Sequence, residues 1–200
     1  MIGRMSFMRL KAIENFLLDI LETVVISLSI FIVVYMFAFT PHEVIGQSMD
    51  GEANFREGQY ILTDKVSYKF KEPTRGDVIV FKYPGNKSLD YIKRVIGLPG
   101  ESVMIQGGKV YLFNDQNPAG FRLDESSYLS DEIITGGRDF LKEGKKVKIP
   151  ENNYVVMGDN RSQSADSRSW GFIVRQDIIG KSSIRYWPPN EVGIIDTPDF

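Results

Sequence analysis

From Thr23 to Phe39 the chain runs 17 residues without a charge, with Val, Ile, Leu and Phe on every side of a helical wheel. A helix of that composition has no polar face to turn toward water, so it must be enclosed in a core or placed in lipid. Extended by the turn from Leu17 to Glu22, it reaches roughly 30 Å, the thickness of a bilayer's hydrocarbon core. Arg4, Arg9 and Lys11 precede the run, and no Lys or Arg occurs between Lys11 and Arg56. That asymmetry predicts a cytoplasmic N-terminus. The run is too long for a secretory h-region and no small-x-small site follows it, which favours an uncleaved anchor over a removed signal. The expected organisation is a cytoplasmic start over 1–15, a transmembrane anchor over 16–40 and an extracytoplasmic domain over 41–200.

Several function classes fall away on composition. A net charge of −2 offers no basic face for nucleic acid. With no cysteine there are no disulfides, thiolate metal sites or cysteine nucleophiles. His42 is the only histidine, so a histidine-rich metal site cannot be built and a Ser-His-Asp triad would have to use that residue. Beyond the anchor the pattern is strands and turns: 59–66, 77–83, the run from Tyr91, a hairpin over 102–113, then 153–157 and 178–187. No long amphipathic helix interrupts them, so the fold class expected is mainly β. From 114 to 146 the apolar pattern thins, which reads as a peripheral insertion with little regular structure.

Three stretches carry candidate chemistry. In Tyr91-Ile92-Lys93-Arg94-Val95-Ile96-Gly97-Leu98-Pro99-Gly100-Glu101, strand alternation puts Tyr91, Lys93 and Val95 on one face and Ile92, Arg94 and Ile96 on the other. A lysine among apolar groups loses hydration of its ammonium form and becomes available as a neutral base. A solvated strand lysine would look the same in sequence. Gly46-Gln47-Ser48-Met49 places a serine a few residues after the anchor, either a turn residue or a nucleophile close to lipid. The run from Gly158 to Phe172, with Asp159, Arg161, Ser164, Asp166 and Arg168, is the densest polar cluster; it is either a turn of local side-chain bonds or part of a site.

Taken in order, with Arg75-Gly76-Asp77-Val78 and the anchor, these motifs resemble those of the bacterial type I signal peptidases, membrane-bound Ser/Lys proteases. The resemblance covers nearly the whole chain beyond the anchor. It implies a coiled β-sheet catalytic domain on one N-terminal transmembrane helix. It also implies Ser48 as nucleophile, Lys93 as general base and Ser164 as the serine that orients the lysine. Asp159, Arg161, Asp166 and Arg168 would support the site. The implied reaction removes signal peptides from exported preproteins after small residues, through an acyl-enzyme, with no metal or cofactor. The chemistry is coherent, because a serine hydroxyl needs an adjacent base and a desolvated lysine can replace histidine.

The implied partners are signal peptides and membrane lipid. An apolar rim including Val44, Ile45 and Met49 is expected to dip toward the outer leaflet. Two positions depart from the family pattern. Gly46 stands where some members have an oxyanion-binding serine, and Asp50-Gly51-Glu52-Ala53-Asn54-Phe55 replaces the usual Pro-containing continuation. Three competing readings remain. A histidine-based signal peptidase is opposed by the Lys93 stretch, and a self-cleaving Ser/Lys repressor by the anchor. A non-catalytic anchored β-domain would hold Ser48 and Lys93 far apart.

Overall fold

The uncharged run forms α1, Ile2–Ala38, and its Ile13–Ala38 part is long and apolar enough to cross a membrane. The structure, a computed structural model, describes residues 2–51, 55–198 and 200, without the side chains of 2–10 and 12; the Arg4 and Arg9 side chains and the Glu52-Ala53-Asn54 part of the departure after Ser48 therefore lie outside it. Within α1 the Thr23 and Ser29 hydroxyls donate to the Asp19 and Val25 carbonyls at 2.8 and 2.7 Å, which removes their need for water. The helix starts before the expected residue 16 and stops two residues short of 40. Phe39 and Thr40 instead open strand β1, Phe39–Glu43, paired antiparallel to β2, Tyr60–Asp64. Pro41 cannot continue a helix and lacks a donor, which a strand at the sheet edge tolerates.

The remaining strands follow as β3, Val78–Tyr83, and β4, Asn86–Gly97, then the hairpin of β5, Ser102–Gln106, and β6, Lys109–Phe113. After them come β7, Phe121–Arg122; β8, Val147–Lys148; β9, Asn153–Met157; β10, Ile173–Val174; β11, Ile178–Trp187; and β12, Gly193–Ile194. The larger sheet runs β1-β2-β11-β3-β4-β9-β10, with β12 on β11; the smaller runs β7-β6-β5-β8. All named pairings are antiparallel, and the domain is mainly β.

Strand alternation divides the core. Ile79, Phe81, Val95 and Val156 pack together on one side of the larger sheet, while Val78 and Val80 pack with Val44, Met49, Phe55 and Ile61. A third cluster fills the smaller sheet around Val103, Ile105, Val110 and Leu112. Leu123, Tyr128, Leu129 and Leu141 belong to it, which corrects the reading of 114–146 as peripheral. That segment has little regular structure, as expected, but it delivers apolar side chains singly, without a period that a sequence pattern would expose.

Candidate active site

Lys93 lies in β4 between β3 and β9, opposite Ile79, so its stem is enclosed by the sheet and only 3% of the residue meets solvent. Its amine sits 5.4 Å from the Tyr91 ring centre, on the face the alternation assigned to both. Ser48 arrives on the loop between β1 and β2. The Val44 and Gly58 amides extend the β1–β2 pairing toward it, and a turn closes where Asp50 N–H donates to the Gln47 carbonyl. Val44 and Met49, 2% and 1% exposed, anchor the loop on both sides of the serine. Gly46 has φ +80°, a left-handed conformation that disfavours any L side chain.

Across 45 residues of sequence, Lys93 Nζ comes within 2.6 Å of Ser48 Oγ, and it donates to the Ile92 carbonyl at 2.8 Å. Burial pulls the Lys93 pKa down to about 8, against the opposing pull of the Asp166 and Asp159 charges. Those two carboxylates are themselves occupied. Arg94 forks onto Asp159 at 2.9 and 2.6 Å, and Arg168 onto Asp166 at 2.8 and 2.8 Å, all four groups buried. Burial raises the Asp166 carboxyl, but Arg168, Ser164 and the Gly158 amide outweigh it and hold the carboxyl below its ordinary range. A hydroxyl and a partly neutral amine in contact can exchange a proton.

Gly158 is the residue that sequence reasoning passed over. A Cβ there would stand 2.2 Å from the Ser48 carbonyl oxygen and 2.3 Å from Ser164 Oγ. Two packed backbones meet at this point, and Asn160 N–H donates to the Ser48 carbonyl at 3.1 Å beside it. A glycine opening a polar turn was its only signal. Ser164 reaches the same place; its buried hydroxyl acts on the Asp166 carboxyl but makes no hydrogen bond to Lys93. The polar partners of the Lys93 amine are Ser48 Oγ and the Ile92 carbonyl.

A cleft of about 410 Å³ opens beside Ser48 and Lys93, walled by Ile45, Ile61, Val80, Leu89, Ile92 and Ala165, with His42 and Asp90 also on its lining. Only part of the expected rim survives. Ile45 lines the cleft at 77% exposure, whereas Val44 and Met49 are core residues: the extended β1–β2 pairing turns Val44 inward and Ile45 out, and the turn from Gln47 to Asp50 returns Met49 to the same cluster. His42 Nδ1 lies 2.9 Å from Thr63 Oγ1, and Nε2 lies 3.6 Å from Asp90, so the imidazole is engaged away from the serine hydroxyl. Among the described residues no group of three or more His, Asp or Glu is placed to hold a metal ion.

Comparison with known proteins gives a consistent result. The family model described as signal peptidase, peptidase S26, matches residues 17–187. The chain is 40% identical to signal peptidase I of Leptolyngbya laminosa over 69% of its own length, and spans 64% of that relative. It is 31% identical to probable signal peptidase I-2 of Synechocystis sp., covering 91% of this chain and 78% of the relative. With signal peptidase IB of Staphylococcus aureus it shares 32% identity over 88% of this chain and 92% of the other. A crystal structure of signal peptidase I from Enterococcus faecalis aligns with 30% identity and TM-score 0.43, over 56% of this chain and 97% of that one. With the family match spanning strands β1 to β11 and relatives this similar over most of their length, the chain belongs to the signal peptidase family, peptidase S26.

Proposed function

We propose that this chain is a membrane-anchored serine endopeptidase that removes signal peptides from exported preproteins. The observation that carries the reading is the 2.6 Å approach of Lys93 Nζ to Ser48 Oγ. In this reading Lys93, as free amine, takes the Ser48 proton while Oγ attacks the scissile carbonyl. The tetrahedral oxyanion then falls to the Ser48 backbone N–H, since Gly46 brings no hydroxyl. The protonated lysine passes its proton to the leaving amine, and an acyl-Ser48 ester remains. Water attacks that ester with Lys93 again as base, releasing the carboxylate and the free serine. Ser164 completes the amine's surroundings when Ser48 is acylated and can no longer share its hydrogen bond. Asp159–Arg94 and Asp166–Arg168 hold the turn under Ser48 and balance charge near the amine.

The apolar cleft beside the dyad suits a short, small-residue segment of substrate, with Ile45 on its open side. In this reading Arg4, Arg9 and Lys11, at the N-terminal end of α1, favour a cytoplasmic N-terminus with the β-domain outside, where a signal peptide's apolar stretch shares the bilayer with α1. Cleavage of an exported preprotein by wild type, Ser48→Ala and Lys93→Ala in detergent or vesicles tests the assignment. Wild-type cleavage at the mature junction is expected, with both variants inactive and folded. Retained cleavage in either variant removes that residue from the mechanism. No cleavage by wild type favours the anchored scaffold.

A further inference from the structure

The segment over 114–146 does more than complete the core. We propose that Glu125 and Thr135 are positioning residues for the nucleophile, acting through Arg161 and Gly158; the inference rests on the Ser48/Lys93 reading above. Arg161 is 1% exposed, and both of its terminal nitrogens meet Glu125. Nη1 also donates to Thr135 Oγ1 at 2.5 Å. The third nitrogen, Nε, is turned back onto the Gly158 carbonyl at 3.1 Å.

Gly158 is thereby held from both sides of its own residue, since its N–H donates to Asp166 Oδ2 at 3.1 Å. On the far face of the same glycine lies the Ser48 carbonyl, close enough that a Cβ would collide with it. The Asn160 amide, two residues on, holds that carbonyl at 3.1 Å. The Arg161 carbonyl closes the frame by accepting from Arg168 Nη2 at 2.7 Å, and Arg168 is the partner of Asp166. A guanidinium with fixed fork geometry transmits the position of its acceptors to its Nε, so Glu125 and Thr135 set where Gly158, and with it the Ser48 peptide, rests. An unpaired carboxylate in this buried place would be costly; Glu125 is paired there by Arg161 and also accepts from Tyr128 Oη at 2.8 Å.

The test separates positioning from plain stability. In the full chain, Thr135→Val deletes one acceptor of Arg161 and keeps the ion pair, while Thr135→Ser keeps the hydroxyl and loses the methyl. Glu125→Met/Arg161→Met removes the pair together, a replacement that buried ion pairs often accept without loss of stability, and it deletes the donor to the Gly158 carbonyl. Displacement of a reacting group by an ångström can cost on the order of 100-fold in rate. The double variant should therefore lose about 10- to 100-fold in kcat, with KM and the acid limb of the pH profile unchanged; its melting temperature is read separately, since Tyr128 Oη loses Glu125 as acceptor and some fall is expected. Thr135→Val should lose a few-fold in kcat and Thr135→Ser should restore it. Wild-type kcat in Thr135→Val, or in the folded double variant, overturns the proposal. Because wild type is assayed beside them and must cleave, failure of this inference is distinct from failure of the Ser/Lys reading.

Discussion

Replacing Lys93 by methionine should make the protein more stable at neutral pH and leave that gain to vanish in alkali. Burial lowers the Lys93 pKa from 10.5 to about 8, so the folded state disfavours the ammonium relative to the unfolded chain. At 1.36 kcal/mol per pKa unit the difference is worth ~3 kcal/mol. Below pH ~8 both states carry the proton and the folded state bears that full cost. Between about 8 and 10.5 only the unfolded chain holds the proton, so wild-type stability rises with pH; above that range the cost is gone. Methionine has a stem of similar length and no charge, so its variant lacks this dependence.

Its lost hydrogen bonds to Ser48 and the Ile92 carbonyl cost ~1 kcal/mol each at any pH and cancel when the two proteins are compared across pH. Urea unfolding of detergent-solubilised wild type and Lys93→Met at pH 7 and pH 10 reads the difference. The gap should shift by most of ~3 kcal/mol in favour of wild type as pH rises. A gap that stays constant would mean that Lys93 titrates like a solvated lysine. At pH 7 a pKa of about 8 leaves ~10% free amine, against ~0.03% for a solvated lysine, so a constant gap would also remove the base from the mechanism.

The same titration predicts that wild-type kcat/KM falls about tenfold per pH unit below ~8, while Lys93→Arg is inactive throughout because a guanidinium keeps its proton; measurable turnover by the arginine variant would contradict it. Gly158→Ala should cost at least ~100-fold in kcat, since its methyl must displace the Ser48 carbonyl from 2.2 Å, and peptide-cleavage kinetics on the folded variant will show whether it does. Ile45→Asp should raise KM and leave the melting temperature unchanged, whereas Val44→Asp should unfold the loop or the domain, given 77% and 2% exposure; equal behaviour of the two would put both on the same surface. Asp159→Asn strips the charge partner from buried Arg94 and should destabilise the fold by about 3–5 kcal/mol. Removing a carboxylate that favours the Lys93 ammonium should also move the acid limb to lower pH.

Local patterns carried much of this protein. Seventeen uncharged residues leave a helix nowhere to go but lipid or a core, and alternation of β-branched residues predicts β3, β9 and β11 nearly to their ends. The two faces of β4 followed from the same period, so the company of Lys93 with Tyr91 was legible before any coordinates. Other features depended on partners remote in sequence. Phe39–Glu43 carries a proline and continues an apolar helix, and only the edge offered by β2 makes it a strand. Val44 and Ile45 are equivalent as adjacent apolar loop residues until the β1–β2 pairing sends one inward and one out. The segment over 114–146 has no period to read, yet Leu123, Tyr128 and Leu141 enter the core and Glu125 meets an arginine 36 residues away. The catalytic contact proposed for Ser48 and Lys93 is of this second kind: composition can exclude cysteine and isolate one histidine, but the depressed lysine pKa comes from enclosure by chain segments far apart in sequence. Desolvation is a property of the assembled volume around a charge, and only the packed tertiary structure defines that volume.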